Sequence, residues 1–400
     1  MSARRDGAGA RGGAVTTTKV IEGTHAISHA VQRCRARIVA AYPITPSSGV
    51  VELLAEMCAD GRLDARFVAV ESEHSALATC AGAAQTGVRS FTATSSHGLL
   101  YMHEMLHWCA GARLPIVLAN VNRSVGSPWN IFVDQNDSLS QRDTGWMQYY
   151  CENNQEVLDT IIQAYRVAEQ VSMPAMVCLD AFFLSHTSEP VTIPDQSVVD
   201  EYLPPFAPSF LLDTSDPHAF GGLPANDAYM ELRARMERSM RQAIPLAAAA
   251  DEEFGRLFGR RYGLVDAYRT EDAETILVTS GTAAGTSRGV IDAYRAQGTK
   301  VGLARIRLFR PFPVVDLRRV LAPAGKVVVF DRNISFGLGG IMASEVRAAL
   351  CNQTPQPTVF SFVGGLGGRD VTPETIRTAV DYALARQAPD ADMLWLGLKD

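Results

Sequence analysis

A chain of 400 residues, 47% of them apolar, is long enough for two or three domains with sizeable cores. Charged residues make up 20% of it, and 37 Lys and Arg stand against 43 Asp and Glu, a net charge of −6 that excludes a disordered polyelectrolyte and a phosphate-coating nucleic-acid binder. No apolar run is long enough to cross a membrane as a helix, and the seven cysteines lie too far apart for any CxxC metal, cluster or redox motif.

The opening residues, with Arg4, Arg5 and Arg11 among glycines and no apolar core, lack the pattern of a secretory leader, so residues 1–18 read as a disordered tail. Together with unpaired, reduced thiols this predicts a cytoplasmic protein. From about residue 20, short apolar runs alternate with helical periodicity, as in parallel α/β units. Strands are predicted at 37–42, 67–70, 90–94, 115–121 and 174–180, with helices at about 47–59, 73–86, 98–110 and 154–170. The strands are apolar throughout, which suits a sheet covered by helices on both faces. Residues 186–225 are rich in proline and read as an extended connector, followed by a long amphipathic helix at about 226–258. A second α/β series has strands at 275–279, 300–306, 326–330 and 358–363. The predicted fold class is α/β, with two doubly wound, mostly parallel-sheet domains at 19–185 and 266–400 and the connector and long helix between them at 186–265.

Ligands of open parallel sheets bind beyond the carboxyl ends of the strands. Four predicted strands end there in polar residues: Pro43-Ile44-Thr45-Pro46-Ser47-Ser48, Glu71-Ser72-Glu73-His74-Ser75, Ser95-Ser96-His97-Gly98 and Asn122-Arg123-Ser124-Val125-Gly126. Each piece has a plainer use. Thr45 to Ser48 would cap the next helix, Glu73 would suit the dipole of a first turn, and His74 and His97 would satisfy nearby backbone. Arg123 is harder to explain away, because its loop has no acid until Asp134 and its guanidinium can take an anion through two parallel hydrogen bonds. In the second series, Ser280 to Thr286 reads either as a phosphate-cradling turn or as an ordinary strand-to-helix connection. Gly337 to Gly340 and Gly364 to Asp370 mark tight turns or close backbone approach.

Ala41-Tyr42-Pro43-Ile44-Thr45-Pro46-Ser47-Ser48 resembles the alpha subunit of the pyruvate:ferredoxin oxidoreductase family, thiamine-diphosphate enzymes that oxidise 2-oxoacids. Further blocks agree in order: Glu71 to Ala76, Thr94 to Leu99, Asn120 to Arg123, Gln141 to Trp146 with Glu152 to Glu156, and Gly365 to Asp370. The resemblance spans about residues 20–390. It implies a thiamine pyrimidine-binding domain followed by a transketolase C-terminal-like domain. It makes Glu73 the acid that hydrogen-bonds the pyrimidine ring and so promotes loss of the thiazolium C2 proton. Arg123 matches the contact to the substrate carboxylate, Thr45 a neighbouring substrate or cofactor contact, and Pro43, Ser96 and His97 the cofactor's surroundings. His97 stands where the family commonly has glutamine.

The resemblance also implies what lies on other chains. The family holds magnesium and the cofactor's diphosphate through a Gly-Asp-Gly motif that this sequence lacks. A beta-type subunit is therefore expected to share the cofactor, and gamma-type and ferredoxin-like subunits to complete the assembly, with the iron–sulfur clusters on partners. The expected reaction is oxidative decarboxylation of a 2-oxoacid to an acyl-coenzyme A, with pyruvate favoured over arylglyoxylates such as phenylglyoxylate, oxalate or branched-chain 2-oxoacids. A subunit that only serves assembly is the competing class.

Overall fold

A computed structural model describes residues 16–399, so the first 15 residues of the expected tail lie outside the described residues. In chain order the first part runs β1 (Thr17–Glu22), α1 (Gly23–Arg33), β2 (Ile38–Ala41), α2 (Ser48–Ala59), β3 (Arg66–Ala69), α3 (Glu73–Gln85), β4 (Ser90–Thr94), α4 (Ser96–Tyr101), α5 (His103–Gly111), β5 (Val117–Asn122), α6 (Asn136–Leu139), β6 (Met147–Tyr150), α7 (Asn154–Val171) and β7 (Ala175–Asp180). Next come β8 (Ser188–Ile193), α8 (Gln196–Tyr202), α9 (Asn226–Phe258) and β9 (Val265–Tyr268). The last part holds β10 (Thr275–Thr279), α10 (Ala283–Ala296), β11 (Val301–Ile306), β12 (Leu308–Arg310), α11 (Val314–Leu321), β13 (Lys326–Asp331), α12 (Ile341–Leu350), β14 (Thr358–Val363), α13 (Pro373–Leu384) and β15 (Leu394–Trp395).

The strands form the expected α/β architecture. One sheet has the order β12-β6-β7-β5-β4-β2-β3 and is parallel except for β12. The other has the order β15-β14-β13-β10-β11-β9 and is parallel except for β9. Central strands such as β5, β7 and β10 are buried at every position, which is why their sequences are continuous apolar runs. No described helix is long and apolar enough to cross a membrane.

Three readings need correction. Thr17 and Thr18, assigned to the tail, open β1, which pairs antiparallel with β8 from Thr17 opposite Ile193 to Glu22 opposite Ser188. The expected connector after residue 186 instead holds a paired strand, β8, and a helix, α8. Pro190 fits there because a two-stranded ribbon leaves one edge of each strand unpaired, and proline has no amide to offer. The expected helix at 98–110 is two helices, α4 and α5, separated at Met102. The long helix is found as α9. Its Phe254 and Phe258 stack at 4.1 Å between ring centres and pack with Tyr202 of α8.

Buried ion pairs join the two parts of the chain. Arg305 of β11 donates to Glu156 of α7 at 2.7 Å, both side chains being at most 2% exposed. Arg332, beyond β13, meets Asp180, at the end of β7, at 3.1 Å. Glu156 has a second use. The Asn153 side chain caps α7 by accepting the Glu156 amide at 2.9 Å, and the Glu156 carboxylate accepts the amide of Glu152, the residue before the cap, at 2.8 Å. The Glu152 to Glu156 block thus serves helix initiation and the contact between the two parts.

Candidate active site

Strand order decides what the polar loops can do together. Because β3 and β4 flank β2 on opposite sides, the chain reverses direction across the sheet there, and such a switch point leaves a crevice beyond the carboxyl ends. The loops carrying Pro43 and Thr45 (after β2), Glu73 (after β3), Ser96 and His97 (after β4) and Arg123 (after β5) are neighbours on this one rim.

Glu73 is the first residue of α3, whose N-cap Ser72 accepts the Ser75 amide at 3.2 Å. The cap turns Glu73 inward, where it is 8% exposed, and no described residue hydrogen-bonds its carboxylate. Gly98 makes this possible. A Cβ at residue 98 would lie 2.5 Å from Glu73 Oε1 and 2.5 Å from Thr94 Oγ1, and the Thr94 hydroxyl is itself buried without a partner. The residue is buried while its carboxylate has no partner among the described residues, which leaves its oxygens free to accept a hydrogen bond. Neighbouring Glu71, by contrast, is exposed and accepts from Ser75, which lowers its pKa. His74 is 3.8 Å from Glu104 and remains a surface group.

Arg123 is 4% exposed and pairs with no carboxylate side chain. Its Nη1 donates to the Thr45 carbonyl at 2.5 Å, and its Nε is buried without an acceptor. Burial lowers its pKa, while the nearby Asp137 and Glu73 charges work the other way. The Trp129 ring covers the guanidinium, 4.8 Å from Cζ to its centroid. Thr45 contributes through its backbone: its side chain and Pro43 are exposed on the rim. Ser96 adopts φ +48°, in the left-handed region that non-glycine residues rarely occupy, and its hydroxyl donates to the Ser124 carbonyl.

The residue that assembles this rim was absent from the sequence reading. Asp137 of α6 is fully buried; its Oδ1 accepts from Asn122 Nδ2 and the Ser138 amide at 2.7 Å each. Its Oδ2 accepts from the Ser96 amide and Asn120 Nδ2 at 3.0 Å and from the Arg123 amide at 3.1 Å. One carboxylate therefore ties the ends of β4 and β5. Its only local sign was an acid followed by serine in a polar loop, which is common in turns.

Loops of the second sheet hold the site from the other side. Asn130 Nδ2 donates to the Gly367 carbonyl at 2.9 Å, and the Gly368 amide to the Val133 carbonyl at 2.8 Å. Gly368 has φ +77°, and a Cβ there would fall 2.3 Å from Phe132 Cβ, so the Gly364 to Asp370 turn is built for close approach to the loop after Arg123. The Ser280 to Thr286 turn does receive an anion, but it is the chain's own: the Thr282 amide and hydroxyl both donate to Asp180. That use leaves no support for a phosphate cradle at this turn.

Asp134 lies at the same seam, where burial and then Asp137 push its pKa from 3.8 to about 7. The folded protein therefore holds this proton more tightly than the unfolded chain does. Its contribution to stability falls as pH rises from about 4 to about 7 and is constant above. Asp134→Asn is expected to match the parent near pH 4 and to melt at higher temperature at pH 8; thermal unfolding at both values checks this.

Residues 29–250 match the family described as pyruvate flavodoxin/ferredoxin oxidoreductase, thiamine diphosphate-binding, and residues 273–376 match the pyruvate:ferredoxin oxidoreductase core domain II. The chain belongs to the pyruvate:ferredoxin oxidoreductase family. Its relatives in this family include the pyruvate synthase subunit PorA of Methanothermobacter thermautotrophicus, 45% identical over 96% of this chain and 98% of that protein. The ketoisovalerate oxidoreductase subunit VorA of Pyrococcus abyssi is 46% identical over 95% of this chain and 98% of its own length. Among solved structures, the 2-oxoglutarate:ferredoxin oxidoreductase from Magnetococcus marinus shares the fold at a TM-score of 0.71 and 21% identity, over 92% of this chain and 65% of that one. A split-gene transketolase superposes with a TM-score of 0.56 at 13% identity.

Proposed function

We propose that this chain is the alpha subunit of a multi-subunit, thiamine-diphosphate-dependent 2-oxoacid:acceptor oxidoreductase of the cytoplasm. It would form acyl-coenzyme A and carbon dioxide from a 2-oxoacid and pass electrons to iron–sulfur partner subunits. The observation that carries the reading is the inward, unpartnered Glu73 carboxylate beside Gly98, on the same rim as an Arg123 that has no acidic partner. In this reading Glu73 holds the cofactor's pyrimidine nitrogen by a hydrogen bond, with Pro43, Thr45 and Ser96 around the ring. When bound, the cofactor supplies the sink for the electrons released as the 2-oxoacid's C1–C2 bond breaks. Arg123 binds and orients the substrate carboxylate, and Trp129 shields that ion pair from water, which strengthens it. A beta-type subunit would hold the magnesium and diphosphate, and gamma-type and ferredoxin-like subunits would complete electron export.

Pyruvate is the favoured substrate. Identity does not separate relatives named for pyruvate from those named for ketoisovalerate, since both lie at 45–46%.

The test is a tagged pull-down from the native host, assayed for viologen reduction with thiamine diphosphate, magnesium and coenzyme A on pyruvate, ketoisovalerate and phenylglyoxylate. Pyruvate turnover in a cluster-containing complex is the expected result; no turnover of any 2-oxoacid would leave an assembly subunit as the reading. Arg123→Lys in the same complex is expected to raise KM for the 2-oxoacid about 10-fold or more and to lower kcat, since a point charge cannot reproduce the guanidinium fork. Parent kinetics would exclude a carboxylate contact.

A further inference from the structure

We infer that His97 is a second hydrogen-bond donor to the substrate, sharing the carboxylate of a small 2-oxoacid with Arg123; the inference rests on the function proposed above. The Gly126 amide donates to His97 Nε2 at 3.0 Å. A nitrogen that accepts a hydrogen bond carries a lone pair, so the proton of the neutral ring sits on Nδ1. That Nδ1–H has no good acceptor. Ser96 Oγ is 3.4 Å away, long for a hydrogen bond, and Arg123 Nη2, at 3.5 Å, is itself a donor. Two N–H donors therefore face each other and cannot bond to one another.

Arg123 adds to the same demand. Only its Nη1 has an acceptor, at Thr45, while Nε is buried with none. A carboxylate offers two oxygens with several lone-pair directions, enough for the guanidinium and for Nδ1–H together. A neutral donor placed beside the arginine adds a directed hydrogen bond without a second positive charge to repel the first. The Trp129 ring lies edge-on to His97 at 5.3 Å as well as over Arg123, so both donors share one aromatic wall. The loop bearing Trp129 is anchored by Asn130 on Gly367, which fixes this arrangement before the substrate enters.

The rival explanation is that His97 only holds the Gly126 loop through Nε2. Two substitutions in the assembled complex separate the two roles. His97→Asn places an amide near the position of Nδ1 but is too short to reach Gly126. His97→Gln reaches the position of Nε2 and can accept from Gly126, but leaves the Nδ1 position without a donor. The readouts are KM for pyruvate and, independently of turnover, the Kd of oxamate by calorimetry. We expect His97→Gln to weaken both by ~10-fold or more, the loss of a hydrogen bond to a charged group, and His97→Asn to change them little. The reverse order, equal losses in both variants, or no change in either would overturn the inference. A parent complex that turns over no 2-oxoacid and binds no oxamate would overturn the underlying function together with it.

Discussion

Glu73→Gln in the assembled enzyme is expected to lower kcat by about 100-fold or more, the scale of a positioned acid or base, with subunit assembly and melting temperature unchanged. Gln has the same shape, so the packing against Gly98 and the start of α3 survive. What changes is the hydrogen-bonding character of the buried group: a carboxyl exchanges a proton with a ring nitrogen, and an amide does not. Because no described residue bonds the Glu73 carboxylate, the substitution breaks no internal contact that would lower stability for an unrelated reason. Steady-state kinetics alongside a melting curve are sufficient. Unchanged turnover would remove Glu73 from the chemistry and leave the rim without its acid.

Asp137→Asn is expected to act through structure, costing ~3 kcal/mol or more, the penalty for breaking a buried, fully bonded charge, and abolishing activity as well. Every lone-pair direction of this carboxylate is used: two donors converge on Oδ1 and three on Oδ2. Whichever way an asparagine is turned, its NH2 meets at least two N–H donors. The ends of β4 and β5 would separate, carrying Ser96 and Arg123 out of register. Thermal unfolding of the complex should show a midpoint lower by several degrees, and substrate turnover should fall with it. A variant that melts and works like the parent would mean that the rim is assembled by other contacts. The contrast with Glu73→Gln is diagnostic. A carboxylate with no internal donor can be replaced without structural cost, whereas one with five cannot.

Much of this protein was legible from its sequence, and particular residues show why. The buried strands β5, β7 and β10 read as apolar runs because helices cover them on both faces, and α9 was found within a residue of its ends because helical periodicity repeats over its 33 residues. The Pro-Ile-Thr-Pro, Glu-Ser-Glu-His and Asn-Arg blocks could be assigned to strand ends, and the rule that parallel sheets bind ligands there placed them on one rim. The resemblance then linked Glu73 and Arg123 to a known chemistry. Strands β1, β6, β8, β9, β12 and β15 were missed for a common reason. Each is short or at an edge, and its stability comes from a partner distant in the chain, as Leu308 pairs with Tyr149.

The sequence by itself determined the fold class, the long helices and buried central strands, and the residue types available at their ends, because periodicity and capping are local and act over a few turns of chain. Only the tertiary structure decided which of those polar residues are satisfied internally and which are left without an internal partner. Ser280 to Thr286 read either as a phosphate cradle or as an ordinary connection, and the turn binds the chain's own Asp180 across about 100 residues. Asp137 was not singled out by its sequence context, yet its carboxylate ties the ends of β4 and β5. Glu73 and Glu71 are two positions apart and similar in sequence context, yet one is buried without a donor and the other is exposed and bonded to Ser75. A hydrogen bond's partner depends on where distant backbone passes, and burial, which sets the cost of leaving that bond unmade, is a property of the folded whole.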